Sequence, residues 1–419
     1  MRRDAHKGAA CAVALLTEIV SPYRIPVFNL LASDPALDLD VLFFAETEER
    51  RSWRIPWEKI RFRHRVLKGF LVAQRYQRGP VFLNPGIWWA LRRGGYRTIV
   101  CFGYHHPTVW LALLWARLNG ARSLLWSEST LYDMRTSGKL VERMKRWLIQ
   151  RFDGYVAAGT RQVEYLRYLG APLERIWVAP DSVDSAFFQE ESSRYRRRKR
   201  EILEAMGIKQ PVPILLYVGR LIDAKGIPEL LEAFARVLRK RAAVLLLVGD
   251  GPDRKRYESF CREHGLSQVR FEGFREQEEL PRYYGIADVF VFPTRSDPWG
   301  LVLNEAMSAG LPVIASTVAG ASADLVIPGW NGFLHEPGDV EGIRRHMETL
   351  LEHPELRMRM GRASRHRIQS FSPERMAQGF LEAIRGEPNR TCTAAPIPQA
   401  ILEEKTGHPV PSPHKEFPA

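Results

Sequence analysis

Short apolar runs alternate with longer amphipathic stretches along most of the chain, and this alternation constrains the fold more than any other feature. In the first half the runs are Cys11–Leu16, Leu37–Phe44, Thr98–Phe102, Ser123–Trp126, Gly154–Ala158 and Ile176–Ala179. In the second half they are Ile214–Val218, Val244–Val248, Val269–Phe271, Val289–Phe292 and Pro312–Ala315. Their apolar character is continuous, not alternating, which suits strands covered on both faces. Stretches between them, such as Ile227–Arg239, place apolar residues at helical spacing. Strand–helix repetition of this kind predicts an α/β fold built on doubly wound parallel sheets. At 419 residues the chain exceeds one ordinary core, so two domains are expected, residues 1–184 and 185–371, with the boundary near Pro180–Phe188. From about Gly386 the composition shifts to scattered Pro, Thr, Glu and Lys, and residues 386–419 read as a disordered tail.

Open α/β sheets bind ligands beyond the carboxyl ends of their strands. There the segment Asp297–Ser316, DPWGLVLNEAMSAGLPVIAS, is the most informative. The residue before a proline avoids the helical region and proline suits the first helical turn, so a helix is predicted from near Pro298. Asp297 then sits at a helix mouth, where free N–H groups and the macrodipole attract phosphate. Glu305 is expected two turns on, roughly 10 Å by helical rise. A diphosphate held at the helix start between two carboxylates is the pattern of a nucleotide-sugar site. Arg220 and Lys225, in GRLIDAKG after the first strand of this half, can converge on the same diphosphate. Gly251 in GDGP either lets a ligand approach the backbone or makes an ordinary turn. Phe274 and Arg275 follow the next strand, where backbone groups could read a nucleobase edge or form a plain turn.

Composition narrows the remaining classes. Four cysteines lie far apart without paired or metal-ligand spacing, which fits a reducing cytoplasm. No apolar run reaches bilayer-spanning length, and the start reads as a first strand, not as a signal peptide. A Gly-x-Gly-x-x-Gly fingerprint is absent from the first strand–helix turn, which argues against a nicotinamide dehydrogenase. No Asp-x-Asp follows a strand to hold a metal, so no obligatory metal or other cofactor is expected. The net charge of +13 is uneven: residues 50–98 hold thirteen Arg or Lys and one acid, Glu58, interleaved with aromatics. That region reads either as a surface for an anionic membrane or acceptor, or as a solvated face over core aromatics; nucleic acid is not expected.

GRLIDAKGIPELLEAF, LLLVGDGP, FEGF, ADVFVFPTRSDPWGLVLNEAMSAGLPVIAS and PGWNGF together resemble the family-4 glycosyltransferases, most clearly over residues 215–334. The resemblance implies the GT-B fold, two Rossmann-like domains facing across a cleft. It implies an acceptor-binding first domain, a nucleotide-sugar-binding second domain, and a helix at 372–385 that crosses back to the first. SPYRIPVFNLLA is similar to the start of a bacterial branch acting on polysaccharides or lipid-linked glycans. The implied reaction is retaining transfer of a sugar from a nucleotide-sugar to an acceptor hydroxyl, without an obligatory metal, in the cytoplasm or at the inner face of a membrane. Arg220 and Lys225 match the family's diphosphate pair, Asp297 the acid that contacts the transferred sugar, and Glu305 the acid that holds the ribose. Backbone N–H groups of Gly300, Leu301 and Val302 match the phosphate-holding segment.

Two departures matter. Asp297 stands where the family has Glu, one methylene shorter. Many relatives place a histidine after a first-domain strand where this chain, in SLLWSEST, has Glu128. Glu128 is therefore a candidate to orient the acceptor hydroxyl or take its proton, against the plainer reading of a surface carboxylate. His105 and His106, in FGYHHP, are candidates for the acceptor side. The rival functions are a nucleotide-sugar epimerase and a nucleotide-binding homologue without turnover.

Overall fold

The computed structural model describes residues 10–48, 53–75, 79–133 and 139–388. Most of the 386–419 tail, and Cys392 with it, lies outside them. All eleven expected strands are present, each within two residues of its expected ends. The first seven-stranded sheet has the order β3-β2-β1-β6-β7-β8-β9. Its strands are β1 Cys11–Thr17, β2 Leu37–Phe43, β3 Arg63–Val66, β6 Thr98–Phe102, β7 Arg122–Ser127, β8 Gly154–Ala157 and β9 Ile176–Val178. A separate antiparallel hairpin is formed by β4 Phe70–Arg75 and β5 Gly79–Leu83. The second, six-stranded sheet has the order β12-β11-β10-β13-β14-β15. It comprises β10 Ile214–Val218, β11 Val244–Val248, β12 Val269–Gly273, β13 Val289–Phe292, β14 Val313–Ser316 and β15 Gly332–His335. Every pairing within both sheets is parallel.

Burial explains which strands could be read. β10 and β11 are buried along their entire length, as a strand covered by helices on both faces must be. β3, RHRV, is exposed at every residue and sits on a sheet edge, where Arg63 pairs with Asp38 and Asp40. Charged residues on an edge discourage further pairing, and they also erase the apolar signal. Part of the basic-aromatic region is therefore core: Phe62 and Phe82 are buried, while Trp57, Phe70 and Trp89 are exposed. Tyr76 of that region lies outside the described residues.

Each sheet reverses its strand order once, between β1 and β6 in the first and between β10 and β13 in the second. Crevices open at such switch points, beyond the carboxyl ends of the strands. Residues 18–24 and 103–106 follow β1 and β6; residues 219–225 and 293–300 follow β10 and β13. The Pro373–Arg385 helix packs on the first sheet's side, with Met376 and Phe380 buried in a core shared with the Ile25–Ser33 helix. Its Phe380 ring meets Trp126 of β7 edge-on at 5.0 Å.

Candidate functional site

The second-domain wall is built from the ends of β10 and β13. Lys225 Nζ donates to the Asp297 carboxylate at 2.6 Å and to the Ser296 carbonyl at 3.1 Å. Among the described residues Arg220, half-buried at the end of β10, forms no side-chain hydrogen bond or ion pair. The helix expected from Pro298 begins instead at Leu301. Asp297 turns back to accept the Trp299 N–H at 3.1 Å, an Asx-type turn that holds residues 298–300 out of the helix. Gly300 then takes φ 97, and a Cβ there would stand 2.7 Å from the Phe292 ring. No side chain caps this helix, so its first N–H groups, at Leu301 and Val302, are left without a side-chain acceptor.

This later start moves Glu305 closer to the helix mouth, one turn in, roughly 6 Å by helical rise. Glu305 is wholly buried and accepts the Tyr284 hydroxyl at 2.6 Å. Burial pushes its pKa up to about 7, and hydroxyls of Tyr284 and Tyr23 temper the rise. Tyr23 belongs to the first domain, so the Glu305 carboxyl is in contact with a first-domain side chain. Gly251 owes its place to backbone packing: a Cβ there would stand 2.3 Å from the Leu221 carbonyl. Phe274 is exposed at the end of β12. Arg275 lies over the Tyr283 ring, 5.7 Å from its centre, and 3.6 Å from Glu279.

The first-domain wall carries a charge cluster that sequence reasoning missed. Arg24, almost wholly buried, donates to both oxygens of Asp181 at 2.8 and 3.1 Å and also pairs with Glu128. Its guanidinium stands over Trp126 at 4.8 Å from the ring centre. Glu128 is thus no plain surface carboxylate. Burial, with Asp181 nearby, pushes its pKa up to about 8 despite the Arg24 charge. A carboxyl that keeps its proton at neutral pH can donate to an acceptor hydroxyl but does not take its proton. Burial also raises Asp133, which accepts the Ser296 hydroxyl of the second domain at 3.1 Å.

His105 and His106 part company. His106 is fully buried, and the Phe82 N–H donates to its Nδ1 at 3.1 Å. That nitrogen must present a lone pair, so the ring proton sits on Nε2 and is donated to Glu18 at 2.8 Å. His105 has its Nε2 3.4 Å from the same Glu18 oxygen, and desolvation of the ring by the surrounding protein, with His106 beside it, lowers its pKa to about 4. The donor atoms of Glu18, His105 and His106 lie within 4.8 Å of one another, close enough for a metal. A metal would need the Nε2 lone pair of His106, and the Phe82 N–H opposes that tautomer. The cluster therefore reads as a hydrogen-bonded carboxylate at the end of β1.

The two walls touch through contacts that no local motif announces. Thr160 Oγ1 donates to Asp324 at 2.7 Å, and Gln162 bridges the Glu128 and Pro298 carbonyls at 3.3 and 2.6 Å. Asn304 donates to the Asp181 carbonyl at 3.0 Å while accepting the Trp299 indole N–H at 2.9 Å. The Gln162 bridge brings the strand end bearing Glu128 beside the turn bearing Asp297.

Residues 198–367 match the family model described as Glycosyl transferases group 1. The chain is 30% identical over 255 residues to a glycogen synthase of Mycobacterium tuberculosis, covering 59% of this chain and 58% of that one. It is 35% identical over 201 residues to the sulfoquinovosyl transferase SQD2 of Arabidopsis thaliana, covering 47% and 37%. It thus spans about half the length of the curated relatives it matches. Among solved structures, Anabaena HepE in complex with UDP and glucose superposes with a TM-score of 0.70 at 19% identity, over 89% of this chain and 99% of that one. A glycosyltransferase from Rickettsia africae superposes with a TM-score of 0.72 at 16% identity, over 90% and 98%. The chain therefore has the GT-B fold, and the match to the group 1 glycosyl transferases falls on residues 198–367, which include the whole second sheet.

Proposed function

We propose that the protein is a retaining glycosyltransferase that moves a sugar from a nucleoside-diphosphate sugar to a hydroxyl of a glycan or lipid-linked acceptor, in surface polysaccharide or glycolipid synthesis. One observation carries the reading: Arg220, whose guanidinium has no side-chain partner among the described residues, lies in the loop after β10 with Lys225, which pairs with Asp297 of the loop after the adjacent β13, ahead of the uncapped helix start at Leu301. As the glycosidic bond breaks, negative charge grows on the leaving diphosphate. Groups fixed in advance around that charge stabilise the transition state more than the ground state. In this reading Arg220, Lys225 and the N–H groups of Gly300, Leu301 and Val302 meet the diphosphate, so the protein supplies the cations and no metal is required. Asp297 contacts the transferred sugar, Phe274 and Arg275 flank the base, and Glu305 reaches the ribose when Tyr23 withdraws. Glu128, held by Arg24, and Glu18, held by His106, face the acceptor. The fold shared with a protein that binds UDP and glucose supports a nucleotide-sugar donor.

The test is incubation with a panel of nucleotide-sugars and candidate lipid-linked and soluble glycan acceptors. Release of nucleoside diphosphate and the anomeric configuration of the product are read by NMR. Acceptor-dependent release with the donor's anomeric configuration kept is the expected result. Donor conversion without acceptor indicates an epimerase, and nucleotide binding without any turnover indicates a binding homologue; either outcome overturns the proposal.

A further inference from the structure

Two neighbouring helices of the first domain turn apolar stripes to solvent. Helix Pro107–Asn119 connects β6 to β7, and helix Lys139–Ile149 lies between β7 and β8. Their carboxyl ends are tied where Arg117 donates to the Arg151 carbonyl at 2.6 Å. The first helix buries Val109, Ala112, Leu113 and Ala116 yet exposes Trp110, Leu114 and Leu118, a stripe at four-residue spacing. The second exposes Leu140, Met144 and Trp147, again one stripe. Exposure across the six runs from 44% at Trp110 to 77% at Leu140.

The second helix is inverted relative to an ordinary surface helix, which hides its apolar stripe and shows its charges. Here the ion pair Glu142–Lys145, at 2.7 Å, is the less exposed side, and the leucine–methionine–tryptophan stripe faces outward. Such a face calls for a non-aqueous partner. Its charge names the partner: residues 139–151 hold five Lys or Arg against one acid, Glu142, in a chain of net charge +13. Apolar residues with Trp, edged by basic side chains, match the interfacial layer of an anionic bilayer. Among the described residues no helix is long and apolar enough to span one, so contact is in the plane of the surface. The β4–β5 hairpin and the Ile87–Gly94 helix extend the same side with exposed Phe70 and Trp89.

We propose that the outward stripes of helices Pro107–Asn119 and Lys139–Ile149 dock the protein on an anionic lipid surface. Both helices start at the cleft: the first directly follows His105 and His106, and Trp110 donates to the Tyr104 carbonyl at 2.8 Å. Residues 131–133, ahead of the second, include Asp133 at the wall contact with Ser296. The docked surface therefore borders the crevice and presents a lipid-anchored acceptor to it. Only this last step rests on the transferase reading.

The experiment is co-sedimentation of the full chain with vesicles of phosphatidylglycerol and phosphatidylcholine, or of phosphatidylcholine alone. Wild type is compared with a variant carrying Leu114→Glu, Leu118→Glu, Met144→Glu and Trp147→Glu. All four positions are exposed, and an unchanged melting temperature verifies the fold. Wild type is expected on the anionic vesicles and not on the neutral ones, with the bound fraction falling about tenfold or more in the variant. Equal binding by the variant, or no binding by wild type, overturns the proposal. So does a wild-type dimer that the variant makes monomeric without any vesicle binding, which would make this face an interface between copies. Nucleotide-sugar turnover on a soluble acceptor is measured on both proteins, so failure of docking and failure of the transferase reading are told apart.

Discussion

Lys225→Ala is expected to lower the rate of sugar transfer by about two to three orders of magnitude, the usual cost of removing one preorganised group that stabilises transition-state charge. The loss is twofold at this site. On the proposed reading the ammonium that meets the leaving diphosphate disappears, and Asp297, 2.6 Å from it, is left as an uncompensated negative charge at the phosphate site. Because the charge on the diphosphate grows as the bond breaks, the fall should appear mainly in kcat, with a smaller rise in KM. Lys225→Arg keeps the charge but replaces a point cation by a planar fork, so partial activity is expected. Steady-state kinetics on the donor identified by the panel reads both variants. An unchanged kcat in Lys225→Ala would remove this lysine from the site.

Arg24→Leu is expected to be the most destabilising single change in the cleft. Arg24 satisfies Asp181 through two hydrogen bonds and pairs with Glu128, and all three lie where the first domain meets the linker. Removing the cation from a buried cluster costs on the order of 3–5 kcal/mol, because Asp181 is left as a desolvated carboxylate without its guanidinium, beside the Glu128 carboxyl. A fall in melting temperature on the order of 10 °C follows for a domain of this size. The double variant Arg24→Leu, Glu128→Gln should recover part of the loss by removing one of the two facing carboxyls.

The same cluster sets a pH dependence. Glu128 ionises near 8 in the folded protein, against 4.5 for an ordinary glutamate. Between those values the folded state holds a proton that the unfolded state has released, so this group's contribution is full below about 4.5 and is lost as pH rises toward 8. Glu128→Gln should flatten the decline of stability across that window relative to wild type, as followed by thermal melts at stepped pH. A decline equally steep in the variant would show that the proton sits elsewhere.

Strands were legible wherever both faces are covered, since continuous apolar runs such as ILLYV and VLLLV leave no alternative. β3 was not, because its exposed RHRV owes its pairing to Asp38 and Asp40 on its neighbour and not to burial. The start of the helix after Asp297 was misplaced for a local reason. The Asp-Pro rule puts the helix at Pro298, but the Asp297 side chain captures the Trp299 N–H and Gly300 swings to positive φ. Arg220 and Lys225 could be singled out together because one strand end and its loop carry both. The Arg24–Glu128–Asp181 cluster could not, since its members are 104 and 157 residues from Arg24 and only the fold joins them. The tautomer of His106 likewise depends on Phe82, 24 residues away on another element.

The most direct test of the central claim, that this crevice takes a nucleoside diphosphate through Arg220, is thermal melting with UDP, GDP and ADP on wild type and Arg220→Ala. At a hundred times its Kd a ligand adds about 2.7 kcal/mol to the folded state, a shift of several degrees. The account predicts such a shift with one base, lost in Arg220→Ala while the unliganded melting temperature stays put, because among the described residues Arg220 makes no side-chain ion pair or hydrogen bond whose loss would unfold the domain. No shift with any of the three in wild type, or an equal shift in the variant, would contradict it.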